Sequence, residues 1–449
     1  MIPILFVNHS YGGGTEKNVN DLANALVKNY EWISVVVATV GTDEVGISVY
    51  KRNKVLKKYS FLIFEKNQYL NSSENIKSVL LDIIKLFSIK LIHFHHFVFL
   101  KDFSLDLNEI SLPYFVTLHD YFFVCPTVNL INTKGRFCSG CIPEEDSSYE
   151  FRSCMMQLNK EPEYLSKHRI FFENILSNAS KVILPNESML PILLKIFSNF
   201  RNYSVIEHGV DIKEGSTLNR LQRFVKKIKI LLIGDLSNHK GFEIIKEICS
   251  DNNVLRFCEF ELWGKTFHRL PNVKYRGVYD SKTLTNIFEE NDYDLSLQLS
   301  ITAESYSYTI SELIANRIPI ICFNLGAQAE RVTRFNAGWA VSEIDSKQVI
   351  RLLLKLAEDR SLIKFKKESI KSEDLISVSE MAKKYMEIYV GFIDRKTTFR
   401  NKKLLINEKK QILKKYKDRK RKLFDLNFIF FKKILKRWLV RVYLVWSNR

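Results

Sequence analysis

The chain has little glycine and proline, and it has no long apolar stretch. Among its 449 residues are only 16 Gly and 9 Pro, which excludes collagen-like and linker-rich proteins. No stretch reaches the roughly 18 consecutive apolar residues of a membrane span. Residues 1–7 lack the basic segment of a secretory signal, and we interpret them as a buried strand. With an odd seven Cys and no signal, the chain is expected to stay in a reducing cytoplasm.

The positive charge lies almost entirely at the C-terminus. The formal net charge is +18, and residues 395–449 hold 20 Lys and Arg against 3 Asp and Glu, which is +17. The other 394 residues therefore carry +1. Any acidic partner is consequently expected to meet this basic tail, not the body of the protein.

The tail alternates apolar and basic residues at helical spacing. Its apolar positions are Phe428, Phe431, Leu435, Trp438, Val442 and Trp446. An amphipathic helix of this kind suits an anionic membrane surface, to which each basic residue contributes about 1 kcal/mol. We therefore predict membrane contact through residues 396–449 and no nucleic-acid partner, because a nucleic-acid arm has no use for the apolar stripe. Packing on the rest of the protein or in an oligomer is the alternative.

Short β-branched runs alternate with helical patterns, which is typical of parallel sheets with helices on both faces. One series begins at residues 4–7 and a second at residues 229–234. The sequence thus predicts an α/β fold of two Rossmann-like domains, residues 1–212 and 213–376. A closing helix over residues 377–395 and the basic helical tail over 396–449 follow.

Two glycine-containing turns each follow a predicted strand and precede a predicted helix. Gly12, Gly13 and Gly14 would let the backbone approach a ligand, and the helix would offer free N–H groups to an anion. They lack the spacing of the dinucleotide fingerprint, so a plain turn is the alternative. Lys240 and Gly241 in the second turn would place an ammonium near phosphate oxygens. The alternative there is a solvated surface lysine.

A third motif lies between Glu304 and Glu312, at the start of a predicted helix. Backbone N–H groups and hydroxyls between the two carboxylates can hold a diphosphate. The run is Ser305, Tyr306, Ser307, Tyr308 and Thr309. A carboxylate on each side suits a ligand with a hydroxylated sugar at both ends. Taken singly, Glu312 complements a helix dipole and Glu304 caps a helix.

Together these motifs resemble those of family 4 retaining glycosyltransferases of the bacterial surface-polysaccharide type. Glu304 and Glu312 match the E-x7-E motif of that family, and Lys240 matches its phosphate-binding lysine. Residues 119–126 are similar to H-D-Y-x-x-x-C-P, and residues 324–331 to a G-A-x-x-E-R segment. The motifs occur in the correct order over residues 1–393. The resemblance implies the GT-B fold, in which two Rossmann-like domains face each other across a cleft.

The resemblance also implies a role for each matching residue. Glu304 would contact donor-sugar hydroxyls and Glu312 the ribose, while Lys240 would stabilise the leaving diphosphate. His119 would lie near the sugar, so Glu304, His119 and Lys240 are the predicted catalytic residues. The predicted donor-binding residues are Gly12, Gly13, Gly14, Gly241, Ser305, Tyr306, Ser307, Tyr308, Thr309 and Glu312.

One position departs from the family pattern. Asp235 stands where the family has an arginine that binds phosphate. An acid repels a diphosphate, so Asp235 is expected to point away from it. Either another residue supplies the second cation, or Lys240 and the helix dipole suffice. No metal cofactor is expected for catalysis, because Lys240 and a helix N-terminus take its place.

Four cysteines form a separate pattern, C-x12-C-x2-C-x12-C, made of Cys125, Cys138, Cys141 and Cys154. The pattern is compatible with a structural zinc site. Independent buried cysteines, or inert thiols in a loop insertion, are the alternatives. His93, His95 and His96 form another cluster, for which burial at a strand end is explanation enough.

The sequence predicts a glycosyltransferase that moves a hexosyl or deoxyhexosyl group from a nucleotide-sugar to a saccharide acceptor. The acceptor would be lipid-linked, and the enzyme would lie peripherally on the inner face of the membrane, in surface polysaccharide assembly. A nucleotide-sugar epimerase of the same fold is one alternative. A non-catalytic binding protein recruited through the tail is another.

Overall fold

The computed structural model describes residues 1–41, 44–52, 54–62, 73–100, 102–103, 105–142, 149–210, 227–279, 283–393, 409–412 and 414–416. The chain divides into two compact units. The first comprises Met1–Gly12, Leu26–Tyr114 and Tyr389–Arg449, and the second comprises Gly13–Ala25 and Phe115–Ile388.

The first sheet has eight strands among the residues described. They are β1 (Ile2–His9), β2 (Ile33–Val40), β3 (Glu44–Lys51), β4 (Lys54–Leu62), β5 (Leu91–Phe94), β6 (Tyr114–Thr117), β7 (Lys181–Leu184) and β8 (Tyr203–Val205). Their order is β4-β3-β2-β1-β5-β6-β7-β8. β1 is parallel to β2 and β5, whereas β3 and β4 form an antiparallel hairpin at one edge. The parallel strands confirm the sequence prediction, and the hairpin was not predicted.

Within the described residues, five α-helices occur in the part of the chain that forms this sheet. They are α1 (Gly13–Asn29), α2 (Ser73–Phe87), α3 (Tyr149–Gln157), α4 (Tyr164–Asn178) and α5 (Leu190–Ile196). In α1, Val19, Leu22, Ala23 and Leu26 are buried, at the spacing of one helical face. The helix begins at Gly13, inside the predicted glycine turn, and Gly12 is its N-cap with φ 75°. Gly13 and Gly14 therefore belong to the helix and not to a loop before it.

In the described part of the chain the second sheet has six strands, and all the pairs between them are parallel. They are β9 (Ile228–Leu236), β10 (Cys258–Thr266), β11 (Val273–Gly277), β12 (Leu295–Gln298), β13 (Ile320–Phe323) and β14 (Gly338–Val341). Their order is β11-β10-β9-β12-β13-β14. From β9 the chain first builds one side of the sheet and then returns to build the other. Ligands of such sheets bind where the order reverses, at the carboxyl end of the central strand.

Helices cover both faces of the second sheet, as the two separate apolar cores on its faces show. They are α6 (Phe242–Ser250), α7 (Asn252–Phe257), α8 (Leu284–Asn291), α9 (Tyr308–Ala315), α10 (Gly326–Arg334), α11 (Ser346–Glu358) and α12 (Ser361–Glu368), and the helix α13 (Val378–Val390) follows them in the chain. α13 is the helix that the sequence predicted to close the fold. Its Tyr385 hydroxyl lies 3.1 Å from the Thr117 hydroxyl of β6.

Only the root of the basic tail falls within the described residues. Residues 409–412 and 414–416 are helical, and both Lys415 Nζ and Tyr416 Oη donate to a carboxylate oxygen of Asp82 on α2 at 2.8 Å. The rest of the predicted membrane helix lies outside the described residues, as does the predicted domain boundary between residues 212 and 213. Within the described ranges, no helix has both the length and the apolarity to cross a bilayer.

Candidate active site

The candidate site lies where the strand order of the second sheet reverses. The turn after β9 and the loop after β12 enclose a cavity of about 60 Å³. It is lined by Gly234, Asp235, Lys240, Ser300, Glu304, Ser307, Thr309 and Gln328, among others. This volume is small against the 300–1,000 Å³ of typical ligand pockets. The residues of the second unit therefore surround only one end of a ligand as large as a nucleotide-sugar.

Two of the three predicted catalytic residues meet in an ion pair. Lys240 Nζ donates to Glu304 Oε1 at 2.6 Å, and the Ser300 hydroxyl donates to the same oxygen at 2.7 Å. Burial alone would raise the pKa of Glu304, but the charge and hydrogen bond of Lys240 outweigh it and lower that pKa. The Glu304 side chain is 16% exposed and that of Lys240 38%. Glu304 is thus a stable carboxylate, and an incoming anion can still reach the ammonium.

Gly241 fixes the turn that carries Lys240. Its φ is 82°, and a Cβ there would lie 2.0 Å from the carbonyl oxygen of Leu299. The carbonyl of His239 accepts hydrogen bonds from Ile301 N at 3.0 Å and from the Ser300 hydroxyl at 3.1 Å. Only glycine fits at position 241, beside the Leu299 carbonyl. This close approach and the hydrogen bonds to His239 join the two loops and hold Lys240 opposite Glu304.

The start of α9 is held by a buried arginine. Arg331 of α10 is 0% exposed, and its Nη1 donates to the carbonyls of Tyr306 at 3.2 Å and Ser307 at 3.0 Å. Its guanidinium lies 4.0 Å from the centre of the Tyr306 ring. Ser307 has φ 69° and makes no side-chain cap of the helix. Arg331 therefore fixes a strained backbone just before the free amides of α9.

Three side chains of the predicted donor-binding run are engaged elsewhere. The hydroxyl of Ser305 donates to the carbonyl of His119, and that of Tyr306 donates to the carbonyl of His208 at 2.5 Å. The Tyr308 ring stacks on the His208 ring at 5.5 Å. Within the run, the groups that could bind the donor are therefore the backbone amides and the cavity-lining residues Ser307 and Thr309.

Glu312 and Lys17 form the far end of the site. Burial raises the pKa of Glu312 to about 7, and the charge of Lys17 on α1 opposes this rise. Lys17 Nζ lies 5.0 Å from the centre of the Tyr308 ring and 2.7 Å from Asp21. Close to it, a Cβ added to Gly14 would approach the Tyr308 ring to 3.4 Å. The start of α1 therefore lies beside α9.

Sequence reasoning missed several residues of the site. His208 is buried, its Nδ1 lies 3.0 Å from Asn18 Nδ2, and its ring centre lies 5.1 Å from that of His119. Burial and the charges of Arg331 and Lys17 lower its pKa to about 3, so the ring is neutral. The available signal was a polar His208-Gly209 pair directly after the last strand of the first half. That pair does not reveal the contacts of His208, because Asn18 and His119 lie far from it in the sequence.

Asp235 is exposed and belongs to the lining of the cavity. Its charge reaches Tyr279, whose pKa is raised by burial and by Glu312 and Asp235. A carboxylate therefore does contribute to the potential near the cavity, and the site needs cations to counter it.

The four predicted zinc cysteines lie near one another without forming a ready metal site. Burial raises the pKa values of Cys125, Cys138 and Cys141, and neighbouring thiols of the set raise each of them further. The described residues contain no group of three or more His, Cys, Asp or Glu positioned to hold a metal ion. Zinc at these cysteines therefore stays a prediction.

The predicted histidine cluster is buried, as the plain interpretation expected. His93, His95 and His96 are at most 2% exposed, and the rings of His93 and His95 stack at 4.2 Å. His93 Nδ1 lies 2.5 Å from the hydroxyl of Tyr389. Packing and hydrogen bonding within the first unit explain these residues.

Neither a protein-family model nor a curated protein sequence matches the chain. Solved structures do match it over most of its length. HepE of Anabaena, in complex with UDP and glucose, is 15% identical with a TM-score of 0.56, covering 87% of this chain and 100% of that one. WaaG, a glycosyltransferase involved in lipopolysaccharide biosynthesis, is 11% identical with a TM-score of 0.58 over 87% and 100%. Sucrose-phosphate synthase from Thermosynechococcus elongatus is 14% identical with a TM-score of 0.59 over 87% and 99%.

The chain has the GT-B fold. This confirms the fold expected from the sequence motifs. At these identities the likeness carries the GT-B fold alone, and the residues described above must carry the chemistry.

Proposed function

We propose that this GT-B chain is a retaining glycosyltransferase that moves a sugar from a nucleotide-sugar to a saccharide acceptor. The observation that carries the proposal is the Lys240–Glu304 pair at 2.6 Å. It lies at the reversal point of the second sheet, next to the start of α9. HepE, which shares the fold, was solved with UDP and glucose, which supports a nucleotide-sugar as the donor.

The chemistry follows from where charge develops. When the bond between the anomeric carbon and the diphosphate breaks, the diphosphate gains negative charge and the sugar gains oxocarbenium character. Fixed donors aimed at the diphosphate favour this state, because they need no reorganisation as the charge appears. Lys240 and the amides at the start of α9 supply those donors. Arg331 is a positioning residue that keeps the amides in place.

Donor binding changes the partner of Lys240. In the free protein the ammonium neutralises Glu304, and the diphosphate would draw it away. Glu304 then has free oxygens for the hydroxyls of the donor sugar, next to the reacting carbon. The acceptor oxygen attacks on the face from which the diphosphate leaves. Attack on that face retains the anomeric configuration. The proton of the acceptor passes to a diphosphate oxygen, so no further base is needed.

Lys17 is our candidate for the second cation that Asp235 does not provide. Its charge reaches Glu312 and its ammonium lies over Tyr308, the first residue of α9. A diphosphate at the start of α9 would therefore have a lysine on each side. Glu312 would accept hydroxyls of the ribose beyond it.

No metal is needed in this scheme, because the lysines and the helix N-terminus carry the electrostatic work. The separate prediction of structural zinc at the four cysteines is tested by metal analysis of the purified protein. Zinc at one equivalent that is lost in Cys138→Ser, but kept in the control Cys249→Ser, would support it. Absence of zinc from the wild type would remove it.

We further propose that the acceptor is a lipid-linked saccharide of surface polysaccharide assembly, reached at the inner face of the membrane through residues 396–449. The basic, apolar pattern of the tail supports this. WaaG, which shares the fold, is involved in lipopolysaccharide biosynthesis, and this favours the same class of pathway.

The test begins with thermal shifts in the presence of nucleoside diphosphates and their sugars, since a ligand of the folded state raises its stability. Lys240→Ala should abolish the shift, and Lys347→Ala, on the exposed face of α11, should keep it. Release of nucleoside diphosphate on addition of a saccharide acceptor then marks transfer. Conversion of the donor sugar without acceptor would indicate the epimerase. Binding with full activity in Glu304→Ala would refute the assigned chemistry.

A further inference from the structure

A second polar cavity lies at the amino ends of strands in the second sheet, whereas the candidate active site lies at their carboxyl ends. It has a volume of about 940 Å³. Its basic lining residues are Lys229, Lys246, Arg269, Lys274 and Arg276. The acidic ones are Glu259 and Glu261, so the lining carries a net charge of +3. We call this cavity the basic groove.

The basic groove is separate from the donor site. Lys229 lies at the amino end of β9, and Asp235 at its carboxyl end, six residues away. At the rise of an extended strand this separates the two ends by about 20 Å. All pairs in this sheet are parallel, so the amino ends of β10 and β11 also lie on the groove side. A ligand in the groove would not overlap the diphosphate.

One buried carboxylate organises the floor of the groove. Glu261 is 5% exposed and accepts Arg276 Nε at 2.9 Å and Nη2 at 2.8 Å. Lys229 Nζ lies 3.3 Å away, and the Tyr293 hydroxyl donates at 2.8 Å. Burial opposes ionisation, yet these partners lower the pKa of Glu261 to about 2. The permanent carboxylate holds Arg276 and Lys229 in fixed positions.

The wall of the groove is also fixed. Leu270 is buried in the core, and its N–H donates to the Tyr275 hydroxyl at 2.6 Å. Asn272 donates from Nδ2 to the carbonyl of Cys249 at 2.9 Å. Arg269 and Lys274 extend from this wall and are exposed. The groove thus combines ordered cations on its floor with two exposed cations at its mouth.

We propose that the basic groove binds a phosphate-bearing ligand. Phosphate oxygens suit the forked donors of the arginines and the ammonium groups. The lining keeps a net charge of +3 after Glu259 and Glu261 are counted. Lys274 at the mouth lies 3.9 Å from the Glu261 carboxylate, beyond hydrogen-bond distance. The ligand is either a soluble phosphate compound or the phosphate headgroup of an anionic lipid.

The test compares two doubly substituted full-length proteins that lose the same charge. Arg269→Gln with Lys274→Gln alters the mouth of the groove. The control, Lys347→Gln with Arg351→Gln, alters exposed positions of α11. Calorimetric titration of the wild type with inorganic pyrophosphate should show two sites. Lys240→Ala should remove the donor site alone, and the groove variant should weaken the other by about tenfold.

A second arm measures sedimentation with phosphatidylglycerol vesicles against phosphatidylcholine vesicles. Because both proteins keep the tail, weaker sedimentation of the groove variant than of the control, without a second pyrophosphate site, assigns the groove to a lipid headgroup. Loss of the pyrophosphate site alone assigns it to a soluble phosphate compound. If the groove variant and the control show the same pyrophosphate titration and the same vesicle sedimentation, the groove proposal is wrong. That result would leave the proposed donor site at Lys240 unaffected.

Discussion

Two carboxylates that stand eight positions apart in the sequence have opposite electrostatic surroundings. Glu304 keeps its charge because Lys240 outweighs the cost of burial. Glu312 has no such close partner among the described residues, and burial raises its pKa to about 7. The one is prepared to exchange a lysine for a sugar. Burial disfavours the charged form of the other until a ligand offers hydroxyls.

Glu312→Gln should therefore stabilise the protein at high pH. In the folded chain Glu312 binds a proton up to about pH 7, whereas in the unfolded chain it loses that proton near pH 4.5. Its contribution to stability is thus present below pH 4.5 and lost as the pH rises through 7. Denaturant unfolding should show equal stability of variant and wild type at pH 4.5. At pH 8 the variant should be more stable by about 1–3 kcal/mol.

The same variant should bind nucleoside diphosphate more weakly, since an amide replaces the carboxylate that accepts ribose hydroxyls. Glu358→Gln on the exposed side of α11 is the matched control and should change neither property. A pH-independent stability difference in Glu312→Gln would show that Glu312 is not buried as a titrating acid.

Arg331 and Arg334 lie one turn apart on α10 and offer a matched pair. Arg331 is fully buried and bonds the backbone at Tyr306 and Ser307. Arg334 is 42% exposed and pairs with Glu330. Arg331→Lys keeps the charge but loses the forked donors. We expect nucleoside diphosphate affinity to fall by about tenfold in Arg331→Lys and to change little in Arg334→Lys.

The positioning role requires that affinity and stability separate. Thermal unfolding of both arginine variants without ligand gives the structural effect alone. If the affinity of Arg331→Lys falls only as far as its loss of folded protein explains, Arg331 is structural and does not position the amides of α9.

At the scale of elements, the glycines of the two predicted turns differ in what they permit. A Cβ at Gly241 would collide with the Leu299 carbonyl at 2.0 Å, whereas one at Gly14 would meet the Tyr308 ring at an ordinary 3.4 Å. Gly241→Ala should destabilise the protein by about 2–4 kcal/mol and displace Lys240. Gly14→Ala lies in a helix and should change stability by less than about 1 kcal/mol.

Denaturant unfolding and diphosphate titration of both glycine variants check this prediction. Equal stability of Gly241→Ala and wild type would mean that the turn can relax. Unchanged ligand affinity in Gly14→Ala would remove the predicted close approach of Gly14 to the donor.

The elements that the sequence predicted are those with a strong apolar pattern. Buried parallel strands such as β1 and β9 are nearly continuous apolar runs, which are easily recognised. The β3–β4 hairpin escaped notice because β3 alternates polar and apolar residues over only eight positions. The contact partners of Ser305, Tyr306 and Tyr308 could not be predicted either. Their partners, His119 and His208, lie 98 or more positions away.

At the scale of the whole molecule, the net positive charge is concentrated in the tail. The tail root is attached to α2 through Asp82. Beyond it, residues 417–449 hold 11 Lys and Arg against 2 Asp. A chain ending at residue 416 keeps the attached root and loses nine net charges. This truncation is a better test of membrane contact than removal of all residues after 395, which would also expose the face that Ile412 and Tyr416 cover.

The full chain should sediment with phosphatidylglycerol vesicles at low salt and be released at high salt, whereas the truncated chain should stay in the supernatant. Electrostatic attraction of about 1 kcal/mol per basic residue supplies the binding, and salt screens it. Replacing Lys432, Lys433, Lys436 and Arg437 by Gln keeps the apolar stripe and removes four charges. That variant should bind more weakly than the full chain but more strongly than the truncation, because aromatic and aliphatic burial persists. If all three proteins partition alike, the tail packs on protein instead, and the lipid-linked acceptor loses its main support.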